Sequence, residues 1–261
     1  LRPAKDYVVS NLEFIAPLMA KAPKFFNFFS TSHLAEIAAN KTIGMTYLPA
    51  LSTPNLQKQL VEIGYQGETL ESLEAQQASG QFSAENCQTV LVVQDPFTTF
   101  YDAKVVTDFV AFIQKLGFKP VVLPYKPTGK AQHIKGFLSK FAKTAKNQAD
   151  FLNRIAKLGL PMVAIDPALT LLYRDEYRDI LKAERGDFKV LLAHEWLIEQ
   201  IKSGVLDNCK KSSKTDHLPW HLFAHCTETT ELPASSKEWQ QIFAHFGETL
   251  VSEKVGCCGM A

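Results

Sequence analysis

The sequence predicts an α/β protein of two repeated parallel-sheet, Rossmann-like units behind an N-terminal helical segment. Three observations predict it. Short runs rich in β-branched residues recur between helix-period stretches from Thr89 onward. Glycines stand where those helical stretches must stop. Residues 91–131 can also be laid over 222–261, which pairs Gly117 with Gly247 and Gly129 with Gly259 at an offset of 130. Strands alternating with helices imply parallel pairing, helices on both sheet faces and ligands at the strands' carboxyl edge.

Residues 1–55 read as a helical segment and connector. Val8, Leu12, Ile15 and Leu18 recur at helical spacing, and Pro17 and Pro23 end or kink the helices. "TIGMTYLPALSTP" (42–54) is the connector. Residues 56–88 read as a polar linker: the Gln/Glu-rich stretch 57–80 predicts a surface helix, then a loop ending at Gly80, a solvated spacer. The first unit spans 89–219. Its strands are "TVLVVQD", "KPVVLPY", "PMVAID" and "KVLLAH". Between them, Asp102 is expected to cap a helix carrying Val106, Phe109, Val110, Ile113 and Leu116 that stops at Gly117. Helices are also predicted over 133–158, through Leu171, Leu172 and Ile180, and over "EWLIEQIKSG". The second unit, 220–261, is only the start of a repeat. "WHLFAHC" and "ETLVSEKV" are its strands, and Ser235 with Glu238 predicts a capping box for the helix between them. In the overlay Asp95 meets Cys226 after a one-residue gap, and each half carries a Thr-Thr pair near the loop start.

With 28 Lys+Arg against 27 Asp+Glu, the formal net charge of +1 argues against nucleic acid or an acidic membrane as partner. No stretch approaches the ~20 apolar residues of a transmembrane segment, and no signal peptide is visible. Five cysteines, three of them in the last 36 residues, do not make a secreted disulfide framework. The expectation is a cytoplasmic protein, with peripheral attachment to the inner membrane left open. Because the chain opens on Leu1, a piece of something longer is expected.

The repeat puts Cys226 and the pair Cys257–Cys258 at the ends of two strands on one sheet edge. A lone cysteine behaves as a small hydrophobe, and Cys87 and Cys209 are read that way. Three convergent thiols admit a strained vicinal disulfide, a zinc site with His225 as fourth ligand, or an iron–sulfur cluster. A cluster's several irons let adjacent thiolates bind separately, and Gly259 removes a side chain where the backbone must pass closely. His225 is read as a donor to the thiolates or a spare ligand. Asp95, Asp166 and His194 are read as caps and turn formers, His221 as structural, and Lys135, Lys140, Lys143 and Lys146 as a solvated helix face.

Cys226 followed some thirty residues later by "CCG", on a repeated α/β unit, resembles the cysteine-rich CCG domain. That domain occurs in heterodisulfide reductase, in iron–sulfur subunits of glycolate and glycerol-3-phosphate dehydrogenases, and in lactate-utilisation proteins. The wording "LFAHCTETT…VGCCGMA" is most similar to the C-terminal part of long bacterial FAD-linked oxidases. The resemblance implies an electron-transfer module, with Cys226, Cys257 and Cys258 as metal ligands to an iron–sulfur cluster of the full-length protein. It implies FAD on an upstream domain, upstream flavin and ferredoxin-like domains of the same chain as partners, and a D-2-hydroxy acid such as D-lactate or D-2-hydroxyglutarate as substrate. Neither the acid nor the electron acceptor is specified. Asp95, Pro127–Thr128 and Leu169 stand where such a unit carries cysteines, so the first unit is expected to be a scaffold that has lost its ligands. Two alternatives remain: a scaffold or interaction domain throughout, or a catalytic subunit of heterodisulfide-reductase type.

Overall fold

The computed structural model describes residues 2–44, 49–81, 88–209 and 218–256. The N-terminal segment forms α1 (Ala4–Met19), α2 (Pro23–Ser30) and α3 (His33–Ile43). Pro17 is accommodated in the last turn of α1, while Pro23 opens α2, where its missing N–H costs nothing. Next come α4 (Leu56–Glu62) and α5 (Leu70–Ala78). These are not a solvated spacer. Leu56 and Leu60 pack on Ala103, Val106 and Val110, and Leu70 and Leu73 enter the main core. Two leucines per short helix suffice to anchor each, since each buried leucine stabilises by roughly 1.5–3 kcal/mol.

The first unit follows in the order β1 (Thr89–Val93), α6 (Pro96–Phe100), α7 (Ala103–Lys115), β2 (Lys119–Val122), α8 (Lys130–Ile134), α9 (Leu138–Ala156) and β3 (Met162–Ala164). It is completed by α10 (Pro167–Arg174), α11 (Glu176–Leu181), a 3-10 turn over Lys182–Arg185, β4 (Val190–Leu192) and α12 (Ala193–Lys202). The sheet order is β2-β1-β3-β4, parallel throughout. Every residue of β1 is buried, and its side chains alternate between two cores. Leu91 and Val93 meet α9, α10 and α11 on one face, while Val90 and Val92 meet Ile113, Trp196 and Ile198 on the other. That two-sided burial is why the run reads as continuously apolar.

Several element boundaries differ from the expected ones, each for a local reason. The helix expected over 133–158 breaks at Gly136, whose φ of 69° leaves the helical region. "KVLLAH" leaves the sheet after Leu192, because the Glu195 side chain accepts the Leu192 N–H at 2.8 Å and starts α12 there. Arg174 then forks onto Glu195 at 2.9 and 2.5 Å and donates to the Val190 carbonyl. Burial pushes the Glu195 carboxyl up, but the Arg174 hydrogen bonds, the Leu192 N–H and the charge of Arg174 together outweigh it and hold the group below its ordinary value. Asp102 sits at the N-terminus of α7 without a side-chain capping bond.

The second unit comprises β5 (Trp220–Leu222), α13 (Cys226–Glu231), α14 (Ser235–His245) and β6 (Leu250–Ser252), with β5 and β6 parallel in a separate two-stranded sheet. The expected capping box does not form. Ser235 is already inside the helix, its hydroxyl buried and without a hydrogen-bond partner among the described residues, and Glu238 points to His194. The unit is held to the first through α14, whose Trp239, Ile242 and Phe246 join the core around Trp196.

The second unit corresponds to the β1–β2 part of the first at a single offset of 130 residues. Val90 pairs with Pro120 as Trp220 pairs with Leu250. The bond from Leu123 N to Val92 O recurs from Glu253 N to Leu222 O. Gly117 and Gly247 end α7 and α14 at φ 88° and 80°. Both are followed by the same helix-closing bond, Phe118 N to Ile113 O and Glu248 N to Phe243 O. A methyl group added at Gly117 would touch nothing within 4 Å. Gly117→Ala should therefore cost about 1–2 kcal/mol from left-handed backbone strain alone. The check is the urea midpoint, which should fall while the m-value stays unchanged.

Candidate functional site

Parallel strands send all their carboxyl ends to one edge, and there the two units differ. In the first, Asp95 follows β1 and caps α6: its Oδ1 accepts from Phe97 N and Thr98 N, both at 2.8 Å, and its Oδ2 from the Thr98 hydroxyl. Burial pushes the Asp95 carboxyl up to about 6 against the pull of the Thr98 bonds, with nearby Asp166 adding repulsion. Asp166 follows β3 and caps α10, accepting the Leu169 N–H at 2.8 Å. The reading of Asp95 and Asp166 as caps holds. Leu169 is 2 % exposed and belongs to the main core.

The loop after β2 holds a group the sequence did not disclose. The Glu13 side chain of α1 enters it and accepts from the Thr128 N–H and hydroxyl, from Gly129 N at 3.0 Å and from Ala131 N at 3.4 Å. Thr128 is fully buried and Glu13 is 4 % exposed. Three tyrosines line the same edge. Tyr177 donates to the Thr128 carbonyl at 2.6 Å and Tyr125 to the Glu13 carbonyl at 2.9 Å, while Tyr173 accepts from Gln148. Burial, reinforced by the neighbouring carboxyl groups, raises all three phenols, which stay neutral. The Glu13 carboxyl and the hydroxyls of Tyr125 and Tyr177 are thus engaged internally.

The second unit's edge carries a thiol instead. At the constant offset the counterpart of Asp95 is His225, not Cys226, so the one-residue gap is unnecessary. His225 caps α13, its Nδ1 accepting the Thr227 N–H at 3.2 Å. Neutral His225 then carries its proton on Nε2. Cys226 occupies the first helical position, half-buried with a free thiol, and its carbonyl accepts from the hydroxyls of Thr229 and Thr230 at 2.9 Å. Cys257, Cys258 and Gly259 lie outside the described residues, as does Cys87. Parallel pairing nevertheless directs both strands off the same edge. Cys226 comes four residues after Leu222, and Cys257 five after Ser252, in a register that pairs Leu222 with Ser252. Cys209 packs against the second core, as expected of a small hydrophobe. His221 pairs with Glu253 at 2.6 Å, a structural bridge across the β5–β6 pair.

His194 is more than a turn former. It lies in the first turn of α12, 2 % exposed, with Nδ1 3.6 Å from Glu228 and Nε2 3.4 Å from Glu238. Trp239 donates to the same Glu228 oxygen at 3.2 Å and stacks obliquely on the imidazole. Glu228 is two residues beyond Cys226, so this cluster fixes the thiol-bearing helix to the first unit. Only the fold unites these groups, which lie on three helices. Among the described residues no three His, Cys, Asp or Glu side chains are arranged to hold a metal ion. No helix among them is long and apolar enough to cross a membrane.

Fold and site together define a two-unit α/β module with one closed carboxyl edge and one bearing a thiol. Over its whole length the chain is similar to proteins named D-2-hydroxyglutarate dehydrogenase. It is 57 % identical to that of Haemophilus influenzae, 54 % to that of Escherichia coli and 35 % to that of Pseudomonas putida. The chain spans about a quarter of the length of these relatives, 24–25 %. No family model matches the chain, and no solved structure does.

The raised Asp95 carboxyl has a definite consequence for pH. Folded Asp95 binds its proton up to about pH 6, whereas its ordinary value is 3.8. Between these values the folded state holds more protons, so stability is greatest below the ordinary value and falls as pH rises through about 6. The linked loss is on the order of 3 kcal/mol. Asp95→Asn keeps the cap oxygen and offers Thr98 a donor. Chemical unfolding at pH 4 to 7 should show this slope in the parent and a flatter profile in the variant.

Proposed function

We propose that this chain is an electron-transfer module of a longer flavin- and iron–sulfur-dependent dehydrogenase that oxidises D-2-hydroxyglutarate, working in the cytoplasm. The observation that carries the reading is the similarity of the whole 261-residue chain to D-2-hydroxyglutarate dehydrogenases. The donor chemistry fits an iron–sulfur cluster: the Cys226 thiol is free at the carboxyl edge, and β6 leads toward the same edge before the sequence reaches Cys257 and Cys258. Bound there, such a cluster would carry single electrons away from a flavin held elsewhere in the polypeptide.

This chain's own residues have separate tasks in that reading. Cys226, Cys257 and Cys258 supply thiolates, and Gly259 gives the backbone room. The Nε2–H of His225 is a donor suited to a thiolate, with the ring oriented by the Thr227 N–H. Glu228, His194 and Trp239 hold α13 against the first unit, so the thiol keeps its position. The first unit serves as scaffold, a role favoured by the Glu13 side chain that fills its edge.

Replacing Cys257 and Cys258 together by serine in the full-length polypeptide, purified without oxygen, should remove the iron and acid-labile sulfide of one cluster. Flavin reduction by D-2-hydroxyglutarate should persist while transfer to the acceptor slows. Unchanged iron content and transfer rate would overturn the cluster assignment.

A further inference from the structure

β1 and β5 are the same strand of the repeat, yet they are treated differently. β1 is central, with β2 on one side and β3 on the other, and all five of its residues are buried. β5 has β6 on the side where β1 has β2, and among the described residues no strand on the other side. Trp220 is 57 % exposed and Phe223 69 %, although the residues 130 positions earlier, Val90 and Val93, are buried.

The backbone makes the comparison specific. Trp220 N donates to Thr249 O and Leu222 O accepts from Glu253 N, so these two residues face β6. In a parallel ladder alternate residues face alternate sides, which turns the N–H and C=O groups of His221 and Phe223 to the open edge. Their counterparts in β1 are Leu91 and Val93. Leu91 N donates to Pro161 O at the start of β3, and Val93 is paired with Ala164. A two-stranded parallel sheet with such an edge is incomplete by the standard of the first unit, and isolated two-stranded pairs are marginal in water.

We propose that the open edge of β5 takes a third parallel strand, contributed by a segment of the same longer polypeptide outside these 261 residues. This rests on the reading of the chain as one module of a larger protein, and the fourfold greater length of the relatives supplies the polypeptide for it. The segment takes the place that the fully buried β3 holds in the first unit, so an apolar strand is expected there. It runs parallel to β5 and pairs with the backbone of His221 and Phe223. A second copy of the chain is the less suitable occupant: two β5 edges meeting across a twofold axis would run antiparallel, against the sense of this sheet.

The test is photocrosslinking in the full-length polypeptide with a benzophenone amino acid in place of Phe223, and separately in place of Trp220. Both sites are exposed in this chain, so the probe is accommodated. The expected product keeps the mass of one polypeptide, and its crosslinked peptide maps outside residues 1–261. A product of doubled mass, a crosslink confined to residues 1–261, a lipid adduct when membrane vesicles are present, or no crosslink each overturns the proposal. The readout is independent of iron, so loss of the cluster assignment and loss of this strand are separate outcomes.

Discussion

The burial of one side chain, Glu13, organises the carboxyl edge of the first unit. Four donors of the Thr128–Ala131 loop converge on it, and the loop is in turn tied to α11 through Tyr177. Without these bonds, buried N–H groups would be left unpaired at roughly 1–3 kcal/mol each. The same contact seats α1, because the Tyr125 hydroxyl reaches the Glu13 carbonyl and Tyr125 packs with Phe100 near Ala16 and Leu51. The N-terminal helices are therefore part of the unit rather than an appendage.

The repeat gives this plug its meaning. At a constant offset of 130 residues, Asp95 stands for His225, Thr128–Gly129 for Cys258–Gly259, and a closed edge for one with a free thiol. The backbone devices are unchanged: the parallel register, the left-handed glycines closing α7 and α14, and a side-chain cap after the first strand. What differs is the chemistry placed on them. Capping by Asp95 and plugging by Glu13 satisfy the first edge from within. Capping by the His225 ring leaves the adjacent Cys226 thiol free, with α13 held by the buried Glu228–His194 contact.

The strands and most helices were legible because their signals are local. β1 reads as a strand since both of its faces are buried, and α7 since Val106, Val110 and Ile113 share one face. The matched glycines exposed the duplication, although the overlay misplaced Cys226 by one position, since strand and helix ends cannot be fixed from sequence. Glu13 was invisible because its partners lie 115 to 118 residues away. His194 was underrated for the same reason. The Gln/Glu-rich stretch was misread because a pair of leucines per short helix is a weak periodic signal. Ser235 imitated a capping residue, but tertiary packing turned it inward.

Amide hydrogen exchange at Thr128 and Gly129, compared between the parent and Glu13→Ala, tests most directly whether Glu13 closes the first edge. Alanine leaves neither N–H an acceptor at this position. Both amides should then exchange about tenfold faster or more, the equivalent of roughly 1.4 kcal/mol or more of lost protection, while those of Leu91 and Val92 stay slow. Unchanged protection at Thr128 and Gly129 would contradict the account.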